Sequence, residues 1–232
     1  MSLPALTEDQ MREVDRAMVE DLHIELVQMM ENAGRSLADL ALRHFRTTGA
    51  VVLAGPGGNG GGGLVAARHL ANRGTAVSVV LSHPETALSA VAARQLDIVR
   101  RIAIAVVDEP PDGDLVIDAI IGYGLRGDPS GRSADLIAWA NDQPAAVLAL
   151  DTPSGLDVTT GHARSPCVRA TATMTLALPK VGLLTASNIV GELFVADISV
   201  PALVYERMGI TVGPVFARGT VVEVPSTASR PG

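Results

Sequence analysis

One cysteine, Cys167, stands in a chain of 232 residues. That excludes a disulfide framework and a cysteine-rich zinc site, and it suits a reducing cytosol, so the expected compartment is cytoplasmic. No run of 18 or more apolar residues is present, so neither a membrane span nor a membrane partner is expected. The N-terminal stretch MSLPALTEDQMREVDRAM lacks a basic segment followed by an apolar one, which argues against a secretory signal. Basic charge is also scarce: 18 basic residues face 25 acidic ones, the net charge is −7, and no block of like charge stands out. A nucleic-acid surface needs a basic face or stripe, so no nucleic-acid partner is expected. Repeats of solenoid period and a linker resembling a domain boundary are missing too.

What is present is 47% hydrophobic sequence, enough for one sizeable core. Thr7 and Gln10 fit a capping box, with Met11, Val14 and Met18 following at helical spacing. A second helical pattern runs through residues 25–45. The period then changes. Apolar runs at 50–55, 76–81, 104–107, 114–122 and 145–151 read as buried strands, and helical patterns at 63–74, 87–102 and 132–141 fall between them. Further strands are expected at 170–178 and 192–198, with little helix between. The alternation predicts an α/β chain: a three-layer α/β/α Rossmann-like sandwich with a mostly parallel sheet, preceded by two N-terminal helices. We read residues 1–218 as one domain and 219–232, polar and ending in Pro and Gly, as a flexible tail.

Residues 55–63, GPGGNGGGG, hold seven glycines in nine positions between a strand and a helix. Gly55, Gly57 and Gly60 satisfy G-x-G-x-x-G, but that fingerprint also wants an acid after the next strand. Ser82 and His83 stand there instead, with Glu85 only later. Leu64 follows Gly63, so the Gly-Lys-Ser/Thr of a P-loop is absent. The missing acid weakens the dinucleotide reading, and two others stand beside it: an anion cradle of free backbone N–H groups at a helix N-terminus, or a tight turn without a ligand. Asn59 is the one side chain of the stretch able to coordinate or hydrogen-bond; alone, it could equally be a residue tolerating positive φ.

Asp118 ends an apolar strand and is followed by Gly122, Gly124 and Gly127, in a loop that carries Arg126. Asp151 ends another strand, and Pro153, Ser154 and Gly155 turn the chain sharply after it. The setting T-P-S-G does not match a G-x-S-x-G elbow, so Ser154 is not read as a hydrolase nucleophile; it could simply cap its own turn. Lys180 follows a buried strand, where a lysine is either a solvated surface group or, beside aspartates, an acid/base or substrate contact. Asn59, Asp118 and Ser154 together offer three oxygen donors with one formal charge. This set suits potassium or sodium better than zinc.

In that order, LTEDQMREVDRAM, MMENAG, GPGGNGGGGLVAARHL, DAIIGYGLRGD, DTPSGLDVTTG and ALPKVGLLT resemble the NAD(P)H-hydrate epimerases, the YjeF N-terminal domain family. The resemblance covers residues 7 to about 200. It implies epimerisation of the R and S hydrates of NADH and NADPH (NADHX and NADPHX), so that a separate S-specific dehydratase can clear both. It implies potassium on Asn59, Asp118 and Ser154. It places substrate along Gly58, Asn59, Gly60, Gly61 and Gly62, along Gly122, Tyr123, Gly124, Leu125, Arg126, Gly127 and Asp128, and at Asp151. Asp151 and Lys180 are read as the proton-transfer pair, with either one as acid, and Arg126 and Arg68 as candidate phosphate contacts. A homodimer is expected. A chain of this length has no room for the dehydratase to which many bacterial members are fused. One departure is visible: the family's N-N-G-G-D-G reads G-N-G-G-G-G here, with Gly58 and Gly62 replacing polar residues. This bears on rate and substrate fit rather than on fold or cation site. The alternative function is a catalytically weak or inactive nucleotide-metabolite or protein-binding module of the same fold. An ordinary dinucleotide oxidoreductase ranks third, since the ribose acid is missing.

Overall fold

The computed structural model describes residues 3–225. The capping box forms as expected: the Gln10 N–H donates to Thr7 Oγ1 at 3.3 Å, and Gln10 Oε1 accepts the Thr7 N–H at 2.9 Å. It opens helix α1, Glu8–Arg16, which buries Met11 and Val14. The helix continues into a π-helical turn, Ala17–Asp21, that the sequence pattern did not signal. Helix α2, Leu26–Phe45, is capped by Glu25 and Gln28 and stops at Arg46, whose φ is 47°.

Strand β1, Gly49–Ala54, then enters the sheet, and helix α3, Gly58–Ala71, returns the chain to β2, Ala76–Leu81. Helix α4, Ala90–Arg101, leads to β3, Ala105–Val107, and β4 follows at Leu115–Ala119. Helix α5, Gly131–Asp142, connects to β5, Ala146–Leu150. Strand β6, Ala172–Leu176, the short helix α6, Ser187–Val190, and strand β7, Glu192–Ala196, come next. Helix α7, Ala202–Arg207, and strand β8, Val221–Glu223, complete the described elements.

The eight strands form one sheet in the order β3-β2-β1-β4-β5-β6-β7-β8. Seven run parallel; β8 alone is antiparallel, against β7. Strands β1, β4 and β5 are almost wholly buried, as strands covered on both faces must be. On one face Leu37, Leu64, Leu70 and Leu96 pack against Val52, Ile117 and Leu148. On the other, Leu136 and Ile137 of α5 pack against Val51, Leu53 and Val116. A third cluster joins Met11, Val14 and Met18 of the N-terminal segment to Leu178, Ile198 and Tyr205 near the end of the chain. The predicted three-layer sandwich with two leading helices is therefore the observed fold.

The expected tail from 219 needs correction. Residues 221–223 are strand β8, paired with β7, because Val221 and Val222 can complete an otherwise open sheet edge. Residues 226–232 lie outside the described residues. No helix among the described residues is long and apolar enough to cross a membrane. The strand order reverses between β1 and β4. In such a sheet ligands bind beyond the carboxyl ends of the strands flanking that point.

Candidate functional site

Only the first three residues of the glycine stretch, 55–57, form a bend; the rest is helix. Gly58 is the first residue of α3, and Gly57 caps the helix without a side-chain hydrogen bond. The first N–H groups of a helix have no partner within it, so this end offers bare donors and a positive partial charge. Most of the glycines are required by close approach. A β-carbon at Gly55 would meet the Ile120 carbonyl oxygen at 1.8 Å, and one at Gly60 would meet the Gly55 carbonyl oxygen at the same distance. At Gly61 it would meet Met30 Sδ at 2.7 Å, and at Gly63 Ala119 Cβ at 2.5 Å. Gly58 faces open space. Gly62 does not: a β-carbon there would lie 2.8 Å from Leu150 Cδ2.

A cavity of about 520 Å³ opens where this helix end meets the ends of β4 and β5. Met11, Met29 and Met30 give it an apolar wall. Of the expected substrate contacts, Gly58, Asn59, Gly62, Gly122, Tyr123, Gly124 and Asp151 line it. Gly60 and Gly61 are turned into packing instead. Leu125, Arg126, Gly127 and Asp128 lie beyond the lining, with Arg126, Gly127 and Asp128 exposed. Arg68 is held by Glu31 at 2.5 Å and is not part of the wall either.

Asp151 sits one residue past β5 with φ of 67°, in the left-handed region that non-glycine residues seldom occupy. This backbone turns its carboxylate to the cavity. Oδ2 accepts the Tyr123 N–H at 3.1 Å, and Oδ1 accepts Lys180 Nζ at 2.5 Å. Lys180 is 0% exposed and does not line the cavity. Its ammonium also donates to Thr175 Oγ1 at 3.0 Å and to the Leu176 carbonyl at 2.9 Å, so all three protons are engaged. The expected proton-transfer pair is thus brought together, but in series: Asp151 meets the cavity and Lys180 stands behind it.

Asp118, at the end of β4, is closed off. Ser154 Oγ donates to Oδ1 at 2.6 Å, the Ser154 N–H to Oδ2 at 2.7 Å, and the Ile120 N–H to Oδ1 at 3.2 Å. Burial pushes the Asp118 carboxyl up to about 6 against these hydrogen bonds. No arginine, lysine or histidine among the described residues forms an ion pair with it. Ser154 Oγ also accepts the Ile121 N–H at 2.8 Å. Asn59 approaches from α3 with its amide carbon 3.3 Å from the position a β-carbon on Gly122 would take, and its buried Nδ2 has no hydrogen-bond partner. Of the three expected cation ligands, Asp118 and Ser154 are hydrogen-bonded to each other, a desolvated carboxylate without a counter-charge and a hydroxyl, while Asn59 lies in the cavity wall against Gly122. No group of three or more His, Cys, Asp or Glu side chains with metal-binding geometry occurs among the described residues.

With this geometry in place, the family model described as YjeF-related protein N-terminus matches residues 26–182. The chain belongs to this family. Among its relatives, the NAD(P)H-hydrate epimerase of Dehalogenimonas lykanthroporepellens is 45% identical over 217 residues, covering 90% of this chain and 87% of the relative. That of Rhodopirellula baltica is 35% identical over 87% and 86% of the two chains. The bifunctional NAD(P)H-hydrate repair enzyme Nnr of Hyperthermus butylicus is 44% identical over 77% of this chain, which spans 35% of that longer protein. A yeast crystal structure superposes with a TM-score of 0.84 at 21% identity, covering 95% of this chain and 100% of the yeast chain. It supports the fold alone.

Three further residues of this YjeF-family cavity were not expected as site residues. Asp15 lines it from α1, where it accepts a hydrogen bond from the Tyr123 hydroxyl. A signal was present: Asp15 stands four residues after Met11 and three before Met18, an acid on the apolar face of the helix. Ser133 lines the cavity with its buried Oγ unpartnered. His83, noted only as occupying the place of a missing acid, is in the wall and contacts Ser82 Oγ through Nδ1 at 3.0 Å. Glu85 pairs with Arg100 and lies outside the lining.

Proposed function

We propose that this protein interconverts the R and S hydrates of NADH and NADPH, an isomerase activity in metabolite repair. The relatives that match nearly end to end carry this name. The observation that carries the reading in this chain is Asp151: a carboxylate in the cavity wall, fixed by a strained backbone and an ion pair behind it. Such a group is suited to move a proton at the hydroxyl-bearing carbon or its incoming water. Lys180 has no proton free for substrate, so its part is to hold Asp151 in place. The N–H groups at the start of α3 supply an anion site for a phosphate-bearing ligand, and Met11, Met29 and Met30 exclude water from the ring.

Potassium belongs to this proposal. Asn59, Asp118 and Ser154 would hold it, and the ion would neutralise the buried Asp118 carboxylate beside the cavity. The uncompensated Asp118 supports that fit; the unpartnered atom of Asn59 is the donor Nδ2, so Asn59 would join the ligands only with its Oδ1 turned toward Asp118. A homodimer and a separate dehydratase acting on the same hydrates are part of the same reading; bifunctional relatives join two repair activities in one chain.

Following purified R and S hydrates by NMR with and without the protein tests the activity. Asp151→Asn is expected to cut turnover by roughly 10² or more. A parent chain that binds the hydrates without interconverting them would establish the binding-module alternative instead.

A further inference from the structure

In the N-terminal motif TEDQMREVDRAM two acids, Asp9 and Asp15, form no ion pair among the described residues; Asp9 is exposed, and only Asp15 lines the cavity. Arg12 and Arg16 pair with Glu8, Glu13, Glu20 and Asp21 along the helix surface. Asp15 makes no ion pair among the described residues and faces the cavity. Its contact is the Tyr123 hydroxyl, while the N–H of the same tyrosine donates to Asp151 at 3.1 Å. The two cavity carboxyl groups therefore stand at opposite ends of one tyrosine. A π-helical turn, a distortion frequent at functional sites, begins two residues after Asp15.

We propose that Asp15 is a second catalytic residue of the epimerisation, delivering the proton to the departing hydroxyl while Asp151 takes one from the water that adds. This rests on the function proposed above. The chemistry asks for two such groups. Water adding to an enamine double bond places its hydroxyl on the carbon bonded to nitrogen. Inverting that carbon by exchange of water proceeds in balanced steps. The Asp15 carboxyl proton passes to the hydroxyl oxygen. The carbon–oxygen bond breaks with its electron pair on the leaving water, and the ring-nitrogen lone pair closes a C=N bond. A water then adds to the opposite face, the C=N electrons return to nitrogen, and the water's proton goes to Asp151. Proton exchange with solvent restores both carboxyl groups. Nothing is oxidised or reduced. Two separated carboxyl groups around a water-accepting carbon also serve inversion in sugar hydrolysis.

The surroundings of Asp15 suit a proton donor. Burial and then the Asp151 charge push its carboxyl up; the Tyr123 hydroxyl, Lys180 and Arg12 act the other way and do not cancel them. As pH rises through that raised value, the donor form is lost, so the rate should fall on the basic side.

The test is the NMR epimerisation assay across a pH series with the parent chain, Asp15→Asn and Tyr123→Phe, each checked for folding by circular dichroism. Asp15→Asn should lower kcat by roughly 10²-fold or more and abolish the basic fall. Tyr123→Phe removes a hydrogen bond that favours the ionised carboxylate, so it should move the fall to higher pH. If Asp15→Asn does not fold, the Tyr123→Phe shift decides. An active parent with Asp15→Asn within a few-fold, or with a lowered rate but an unchanged basic limb, overturns the role. An unmoved limb in Tyr123→Phe does the same. A parent without turnover overturns the epimerase reading itself and this role with it, and the parent measurement separates the two failures.

Discussion

Asp118 and Asp151 end neighbouring parallel strands, β4 and β5, and both are buried. Their surroundings differ in kind. Asp118 receives a hydroxyl and two backbone N–H groups, has no cationic side chain, and does not reach the cavity. Asp151 receives one N–H and a lysine, and its left-handed backbone opens it to the cavity. Identical chemistry at adjacent strand ends thus divides into a carboxylate held by neutral donors alone and one supplied with the charge of a lysine. A carboxylate enclosed by donors has its oxygens occupied and cannot meet substrate, whereas one held by a single N–H and a lysine behind it keeps a side open to the cavity.

The largest expected effect comes from exchanging the lysine charge for none. Lys180→Met leaves Asp151 with one N–H partner and should cost about 3–5 kcal/mol in urea unfolding, the usual penalty for breaking a buried pair. Lys180→Met with Asp151→Asn should recover most of that loss while remaining inactive. A single variant as stable as the parent would show that the pair is not desolvated, and the contrast between the two aspartates would fail.

Ser154→Ala attacks the other member. It removes the hydroxyl that bonds Asp118 and should cost about 1–3 kcal/mol. The same variant should lose any rise in thermal midpoint that KCl gives the parent over choline chloride at equal ionic strength. That rise follows from a ligand binding the folded state alone. If the parent shows no such rise, Asp118 carries its burial without a cation.

The smallest effects concern the two glycines standing where the family has polar residues. Gly62→Asp must displace Leu150 Cδ2 and should lower stability by about 1–3 kcal/mol in thermal denaturation. Gly58→Asn enters open space and should stay within about 0.5 kcal/mol. Equal effects would mean that the approach of α3 to β5 is looser than its glycines imply.

Much of this was legible because local patterns and strand ends carry it. The alternation of short apolar runs with helical spacing sufficed for the sheet and its layers, and the capping box at Thr7 for the start of α1. The motif residues Asn59, Asp118, Asp151 and Ser154 follow buried strands, and in a parallel sheet those ends gather on one side. The start of α3 was not legible. Glycine is a poor helix former, so GNGGGG reads as loop; it is helical because α2, β4 and β5 approach so closely that a side chain would not fit. β8 was missed because three residues near a polar end give no period.

The sequence alone determined the class of fold, the order of its motifs and the chemical types available at each strand end, since these depend on local periodicity and on residues a few positions apart. Tertiary structure decided the assignments between distant residues. Lys180 spends its three protons on Asp151, Thr175 and Leu176; Asp118 is left without a counter-charge among the described residues; and the Tyr123 hydroxyl and N–H bind Asp15 and Asp151. Each depends on which groups burial brings together and deprives of water, and no spacing along the chain encodes that.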